Sequence, residues 1–174
     1  TIETLPENID SLKNLEKLGL TRTRLTKLPE SIGNLKKLKT LYLPFSLETL
    51  PESIGNLMSL EELNLYQTRL TRLPESIGNL PNLKQLFVPP SLEALPESIY
   101  DLKNLEEFNI RYNKNLKEIP DISRMKKLKH FYYILFDDEN YEKNLAKLKA
   151  LQEKLPDCDF AIRNENEELL DIKK

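Results

Sequence analysis

Leucines recur along this chain with two rhythms at once. At short range they alternate, as in Leu18 and Leu20 or Leu63 and Leu65. At long range the leucine opening each run returns at Leu15, Leu38, Leu60, Leu83, Leu105 and Leu128, at intervals of 23, 22, 23, 22 and 23 residues. Alternation places every second side chain on one side of a short strand, so the leucines point inward and the residues between them outward. Five or six residues later comes Leu28-Pro29-Glu30-Ser31-Ile32, repeated from Leu50, Leu73 and Leu95. Proline blocks further strand pairing and suits the first position of a helical turn. The Ser-Ile-Gly-Asn-Leu stretch then predicts one short helical or 3₁₀ turn whose Ile and Leu return to the core. No such unit buries its leucines alone, and stacked neighbours do so together, which predicts a parallel sheet built one strand per unit.

A second period lies over the first. Residues 21–65 and 66–110 agree at about two thirds of positions, an internal duplication. Thr23-Arg24-Leu25-Thr26 matches Thr68-Arg69-Leu70-Thr71, and Ser46-Leu47-Glu48 matches Ser91-Leu92-Glu93. The true unit is a 45-residue pair of one long and one short repeat, the short repeat dropping one residue just after its strand.

The signature L-P-E-S-I-G-N-L-x-x-L-x-x-L-x-L resembles the 23-residue leucine-rich-repeat class found in bacterial, Ras-suppressor-like and plant intracellular proteins. The resemblance covers roughly residues 5–135. It implies an α/β solenoid: a curved right-handed superhelix with its parallel sheet on the concave face and a helical C-terminal cap. The usual Asn after the strand is replaced here by Thr23, Ser46, Thr68 and Ser91, with Asn113 the exception; hydroxyls are expected to bond the backbone of the neighbouring turn. The fifth unit, Leu116 to Ile122, has one extra residue before its proline and one fewer after it.

Three segments are expected: a repeat array over 1–135, a cap over 136–162 and a charged, mobile tail over 163–174 in which Leu169, Leu170 and Ile172 add at most a weak helix. In the cap, Asp137-Asp138-Glu139 precede a helix from about Asn140 to Lys154, with Tyr141, Leu145, Leu148, Leu151 and Leu155 on one face. Pro156 ends it, and Cys158, Phe160 and Ile162 alternate as a last edge strand. The Leu-Pro-x-Cys ending resembles bacterial members of the class. At the other end the first repeat is already half complete at Thr1, which predicts a longer parent chain or self-association through an uncapped N-terminal edge.

The outward strand positions form columns across the sheet. The central column reads Gly19, Tyr42, Asn64, Phe87, Asn109, Tyr132; the next add Tyr66 and Arg111, then Arg22, Phe45, Gln67 and Tyr112, with Glu62 and His130 flanking. An aromatic patch on an outward face, with Tyr and Arg among it, points to protein binding. The candidate site is therefore Arg22, Tyr42, Phe45, Glu62, Tyr66, Phe87, Arg111, Tyr112, His130 and Tyr132. The competing account is that Tyr42, Phe87 and Tyr132 only cover the intervening Asn residues and brace neighbouring strands. A further column, Glu16, Lys39, Glu61, Lys84, Glu106, Lys129, alternates in charge and reads as a structural ladder.

Bulk chemistry narrows the function. A net charge of −2 without a basic stripe argues against nucleic acid, and no apolar run has the length of a membrane span. The chain opens without a signal segment, leaving cytoplasmic and secreted placement both open. One Cys and one His make neither a disulfide framework nor a Cys/His zinc site, so no metal and no cofactor are expected. Cys158 lies between Asp157 and Asp159, whose charges raise a thiol pKa, so it reads as a buried cap residue instead of a nucleophile. The expectation is a non-enzymatic module binding a protein on its concave face, as in a bacterial secreted effector. The alternative is the substrate-recognition part of a larger ubiquitin-ligase- or kinase-like enzyme with its catalytic domain elsewhere.

Overall fold

The computed structural model describes residues 2–116 and 118–172. Thr1 of the half-complete first repeat, Lys117 of the irregular fifth unit and the last two tail residues lie outside the described residues. Each repeat supplies one strand: β1 (Lys17–Gly19), β2 (Thr40–Tyr42), β3 (Glu62–Asn64), β4 (Gln85–Phe87), β5 (Glu107–Asn109) and β6 (His130–Ile134), followed by β7 (Asp159–Arg163). They form one open sheet in chain order, every pair parallel. One register runs Leu18, Leu41, Leu63, Leu86, Phe108, Phe131, Phe160, and from Leu41 onward these side chains are buried.

The return side of each unit is a 3₁₀ turn: Glu30–Asn34, Glu52–Asn56, Glu75–Asn79 and Glu97–Asp101. The expected place of the proline shifts by one residue. Pro29, Pro51, Pro74 and Pro96 sit just before the turn in extended geometry, with ψ of 150–154°. There the proline carbonyl accepts the first bond of the turn, as Ile32 N–H donates to Pro29 O at 3.1 Å. The repeated Glu-Ser pair also links one unit to the next: the carboxylates of Glu30, Glu52 and Glu75 accept from the backbone N–H of Ser53, Ser76 and Ser98 at 3.2, 3.2 and 3.3 Å. One side chain thus satisfies an N–H that a short turn leaves over.

The hydroxyl column divides by repeat length. Ser46 and Ser91 reach across, donating to Leu25 O and Leu70 O of the preceding unit at 2.7 Å. Thr23 and Thr68 instead donate within their own unit, to Leu20 O and Leu65 O at 2.7 and 2.8 Å. Asn113 also stays local, donating from Nδ2 to Arg111 O at 3.0 Å.

The two ends differ. At the C-terminus, α1 (Tyr141–Lys154) lays Leu148, Leu151 and Asn144 into the core, with Tyr141 and Leu145 packed beside them. Its start is held by Asp138, whose carboxylate accepts from Asn140 N–H at 2.8 Å. Among the described residues the tail forms no helix. It turns back over 164–168 so that Leu169 bridges Arg163 antiparallel, Leu170 N–H donates to Ile162 O at 2.8 Å, and Ile172 is buried. Pairing satisfies β7's outer edge, which a solvated tail would leave open. At the N-terminus Leu15 and Leu18 are only half-buried, whereas their equivalents Leu38 and Leu41 are fully buried, and Ile2 and Leu12 are exposed.

Candidate functional site

Strand pairing sets the outward columns. Gly19, Tyr42, Asn64, Phe87, Asn109 and Tyr132 are direct neighbours in register, and Ala161 of β7 extends the row. The aromatic members stand two strands apart, about 9.6 Å at the usual spacing. Tyr42 is exposed, while Phe87 and Tyr132 are half-buried. Between them Asn64 and Asn109 have work of their own: each Oδ1 accepts from the backbone N–H two residues on, Tyr66 at 3.0 Å and Arg111 at 3.1 Å. These bonds fix the strand exits that carry Tyr66 and Arg111. Asn followed by an outward turn is the sequence signal for this role.

The candidate residues fall into groups. Tyr66 and Tyr112 meet above β4, ring centroids 6.0 Å apart at 59°. The Arg111 guanidinium lies 4.7 Å over the Tyr132 ring, and His130 stacks on that tyrosine with ring centroids 6.3 Å apart. Phe45 is 62 % exposed, with Arg69 4.5 Å over its ring. Glu62 shares the column of Lys17, Thr40, Gln85, Glu107, His130 and Asp159. In that column Gln85 donates to Glu107 at 2.8 Å, and His130 approaches Asp159 at 3.7 Å. Arg22 is exposed beyond β1, remote in the strand order from the Arg111 and Tyr132 group.

Residues outside the expected set complete the C-terminal end of this surface. Tyr112 has a left-handed backbone, φ 63°, an uncommon state for a bulky side chain. Its hydroxyl donates to the Glu167 carboxylate, and that bond, together with burial and the Glu167 charge, raises the phenol above its ordinary range. Lys114 pairs with Glu165 at 3.6 Å, and Arg163 donates to the Glu167 carbonyl. The 164–168 turn is therefore strapped to the exit of β5. Its acidic composition reads as a solvated tail in sequence, and Lys114 and Tyr112, which hold it to β5, are some fifty residues away.

The charge ladder is real but broken into pairs. Lys39 meets Glu16 at 2.9 Å, and Lys84 meets Glu61 and Lys129 meets Glu106 at 2.6 Å. Bonding to these lysines, with their charge, holds all three carboxyls below the usual range. Each lysine satisfies the preceding strand's acid, leaving this column to structure. Cys158 is buried, and burial together with the Asp159 charge pushes its thiol up to about 12, the reverse of an activated nucleophile. Among the described residues no group of three or more His, Cys, Asp or Glu side chains is arranged to hold a metal ion, and no helix is long and apolar enough to cross a membrane.

Comparison with known proteins gives the same architecture. The family described as "Leucine-rich repeat region" matches residues 1–68, and "Leucine Rich Repeat" matches residues 59–80. The chain is a leucine-rich-repeat protein. Among solved structures it is similar to a leucine-rich-repeat protein of Leptospira interrogans, with 28% identity, a TM-score of 0.55 and coverage of 91% of this chain and 51% of that one. It is also similar to the leucine-rich-repeat domain of the type III effector XopL, with 27% identity, a TM-score of 0.68 and coverage of 94% and 66%. Internalin C2 of Listeria monocytogenes shares the fold at 21% identity, with a TM-score of 0.63 and coverage of 95% and 70%. This leucine-rich-repeat chain thus spans about half the length of the Leptospira protein and just under two thirds of the XopL domain. No curated protein matches its sequence. Repeat arrays of this kind are typically protein-interaction modules.

Proposed function

We propose that this leucine-rich-repeat chain binds a protein ligand on its concave face, through Tyr42, Tyr66, Phe87, Arg111, Tyr112 and Tyr132. The observation that carries the reading is that these side chains occupy adjacent outward positions over β2 to β6, with Tyr66 on Tyr112 and Arg111 on Tyr132. Large apolar groups scattered singly on a surface need no explanation; a run of Tyr and Arg in register is the composition of binding hot spots. The bracing account covers Phe87 and Tyr132, which are half-buried, but not Tyr42, Tyr66 and Tyr112, each about 40 % exposed. Likeness to the domain of a type III effector supports placing the chain among secreted bacterial effectors, with a host protein as ligand.

The test is affinity capture by the wild-type chain beside a Y42A/Y66A/F87A variant, from host and bacterial lysates, with circular dichroism to confirm the fold. A partner captured by the wild-type chain and lost by the variant is the expected result. A specific partner that survives all three substitutions would overturn the reading.

A further inference from the structure

The long repeats place a cation at one equivalent position: Arg24, Arg69 and Lys114, each following the Thr or Asn that closes the strand exit. Backbone bonds fix the first two positions, Arg24 N–H donating to Ile2 O at 2.8 Å and Arg69 N–H to Leu47 O at 2.9 Å. All three side chains are exposed. Because only alternate repeats are long, the cations recur every second strand, about 9.6 Å apart. Two of them rest on phenylalanines, Arg69 on Phe45 at 4.5 Å and Lys114 on Phe136 at 5.0 Å. Stacking holds a guanidinium by its face and leaves its N–H edges pointing out for a planar acceptor.

The chain itself shows what such a position accepts. Lys114 carries the Glu165 carboxylate at 3.6 Å. Arg24 and Arg69 have no carboxylate partner among the described residues. We infer that Arg24 and Arg69 seat two carboxylates of an extended acidic segment in the protein partner, laid along the rim as residues 164–168 are laid against Lys114 and Tyr112. A segment in the extended polyproline II conformation presents every third side chain on one side and advances about 3.1 Å per residue, so acids three positions apart match the spacing of the two arginines. This rests on the proposal that the concave face binds protein. A protein carboxylate is favoured over a phosphate backbone because Glu62, Glu107 and Asp159 stand on the same sheet and repel a continuous polyanion.

The experiment follows the arginine Nε–H signals of the full chain by NMR during titration with three probes. One is a decapeptide with glutamates three apart in a Ser/Asn background, one its glutamine counterpart, and one a ten-nucleotide oligo-dT. Expected are shifts of the Arg24 and Arg69 signals with the glutamate peptide, weakening with salt. Affinity should fall at least about tenfold for the glutamine peptide and for an R24Q/R69Q variant of unchanged melting temperature. Equal binding of the two peptides, unchanged binding by R24Q/R69Q, no binding of the glutamate peptide at millimolar concentration, or tighter binding of oligo-dT each overturns the inference. A captured partner lost by Y42A/Y66A/F87A yet kept by R24Q/R69Q would sink the acidic-segment inference alone and leave the concave-face reading standing.

Discussion

The Cβ that Gly55 lacks would lie 2.2 Å from the carbonyl oxygen of Ser76, one repeat further on. Gly33 faces Ser53 and Gly78 faces Ser98 in the same way, at 2.3 and 2.2 Å. The 3₁₀ turns therefore stack backbone on backbone, and a methyl group has nowhere to go because the obstructing atom is main chain. The next unit shows the rule by breaking it. Tyr100 takes the glycine's place where the following turn, Ile122–Arg124, is shortened and Asp121 takes the place of a serine. The residue missing after Pro120 opens the room a tyrosine fills.

Gly55→Ala should accordingly destabilise the chain by about 1–3 kcal/mol, the usual range for forced overpacking. Gly19→Ala makes the control, since nothing lies within 4 Å of its added Cβ; its effect should stay within about 0.5 kcal/mol. Urea midpoints of the two variants decide the matter, and equal midpoints would mean the turns yield more easily than this packing implies.

The leucine column gives a graded expectation. Leu63 is fully buried between Leu41 and Leu86, so Leu63→Ala should cost about 2–5 kcal/mol through lost transfer energy and a residual cavity. Leu18 holds the equivalent place on β1 but is half-buried at the open end, and Leu18→Ala should cost roughly 1 kcal/mol. Denaturant unfolding of both variants checks the order. A reversed order would show that the N-terminal unit is better covered than its exposed leucines indicate.

The array was readable in the sequence because its period repeats: once Leu15, Leu38 and Leu60 are aligned, the column from Gly19 to Tyr132 follows from alternation alone. Helix α1 and strand β7 were equally plain, from Leu148 and Leu151 at helical spacing and from Cys158, Phe160 and Ile162 at strand spacing. What escaped depends on single residues gained or lost. Ser46 and Thr68 stand at the same distance from their opening leucines, yet Ser46 bonds the preceding unit and Thr68 its own, and the residue the long repeat gains lies after the Thr. The strap escaped for another reason. Asn164 to Glu168 has the composition of a solvated tail, and nothing local announces that Tyr112 and Lys114 will hold it.

Alkaline pH should weaken the fold in two steps. Burial pushes the Cys158 thiol from 9.0 to about 12, and burial with the Asp138 charge pushes the Tyr133 phenol from 10.0 to about 12. Both groups keep their protons in the folded chain at a pH where the unfolded chain has lost them. Above pH 9 the unfolded state therefore binds fewer protons than the native state, and stability falls as pH rises, until both groups ionise in the native state near 12. Cys158→Ala should flatten the decline between pH 9 and 10 and leave a slope shallower than the wild type's above 10, where Tyr133 still contributes but the thiol does not. Urea midpoints from pH 8 to 11 supply the comparison; identical slopes for the two proteins throughout would show that the thiol is not shielded.

The strap makes the last expectation. Leu170 N–H is bonded to Ile162 O at 2.8 Å, and Ile172 is buried behind it. Proline at 170 removes the donor without altering any charge, so Leu170→Pro tests edge pairing separately from the ionic contacts of Glu165 and Glu167. Loss of the bond should detach residues 169–172 and open β7's outer edge, a row of free N–H and C=O groups on which a second chain adds. Limited proteolysis should then cut within 164–172 while α1 stays intact, and sedimentation should show association rising with concentration beyond that of the wild-type chain. A variant that remained protease-resistant would mean that the salt bridge from Lys114 and the hydroxyl of Tyr112 hold the strap without the sheet.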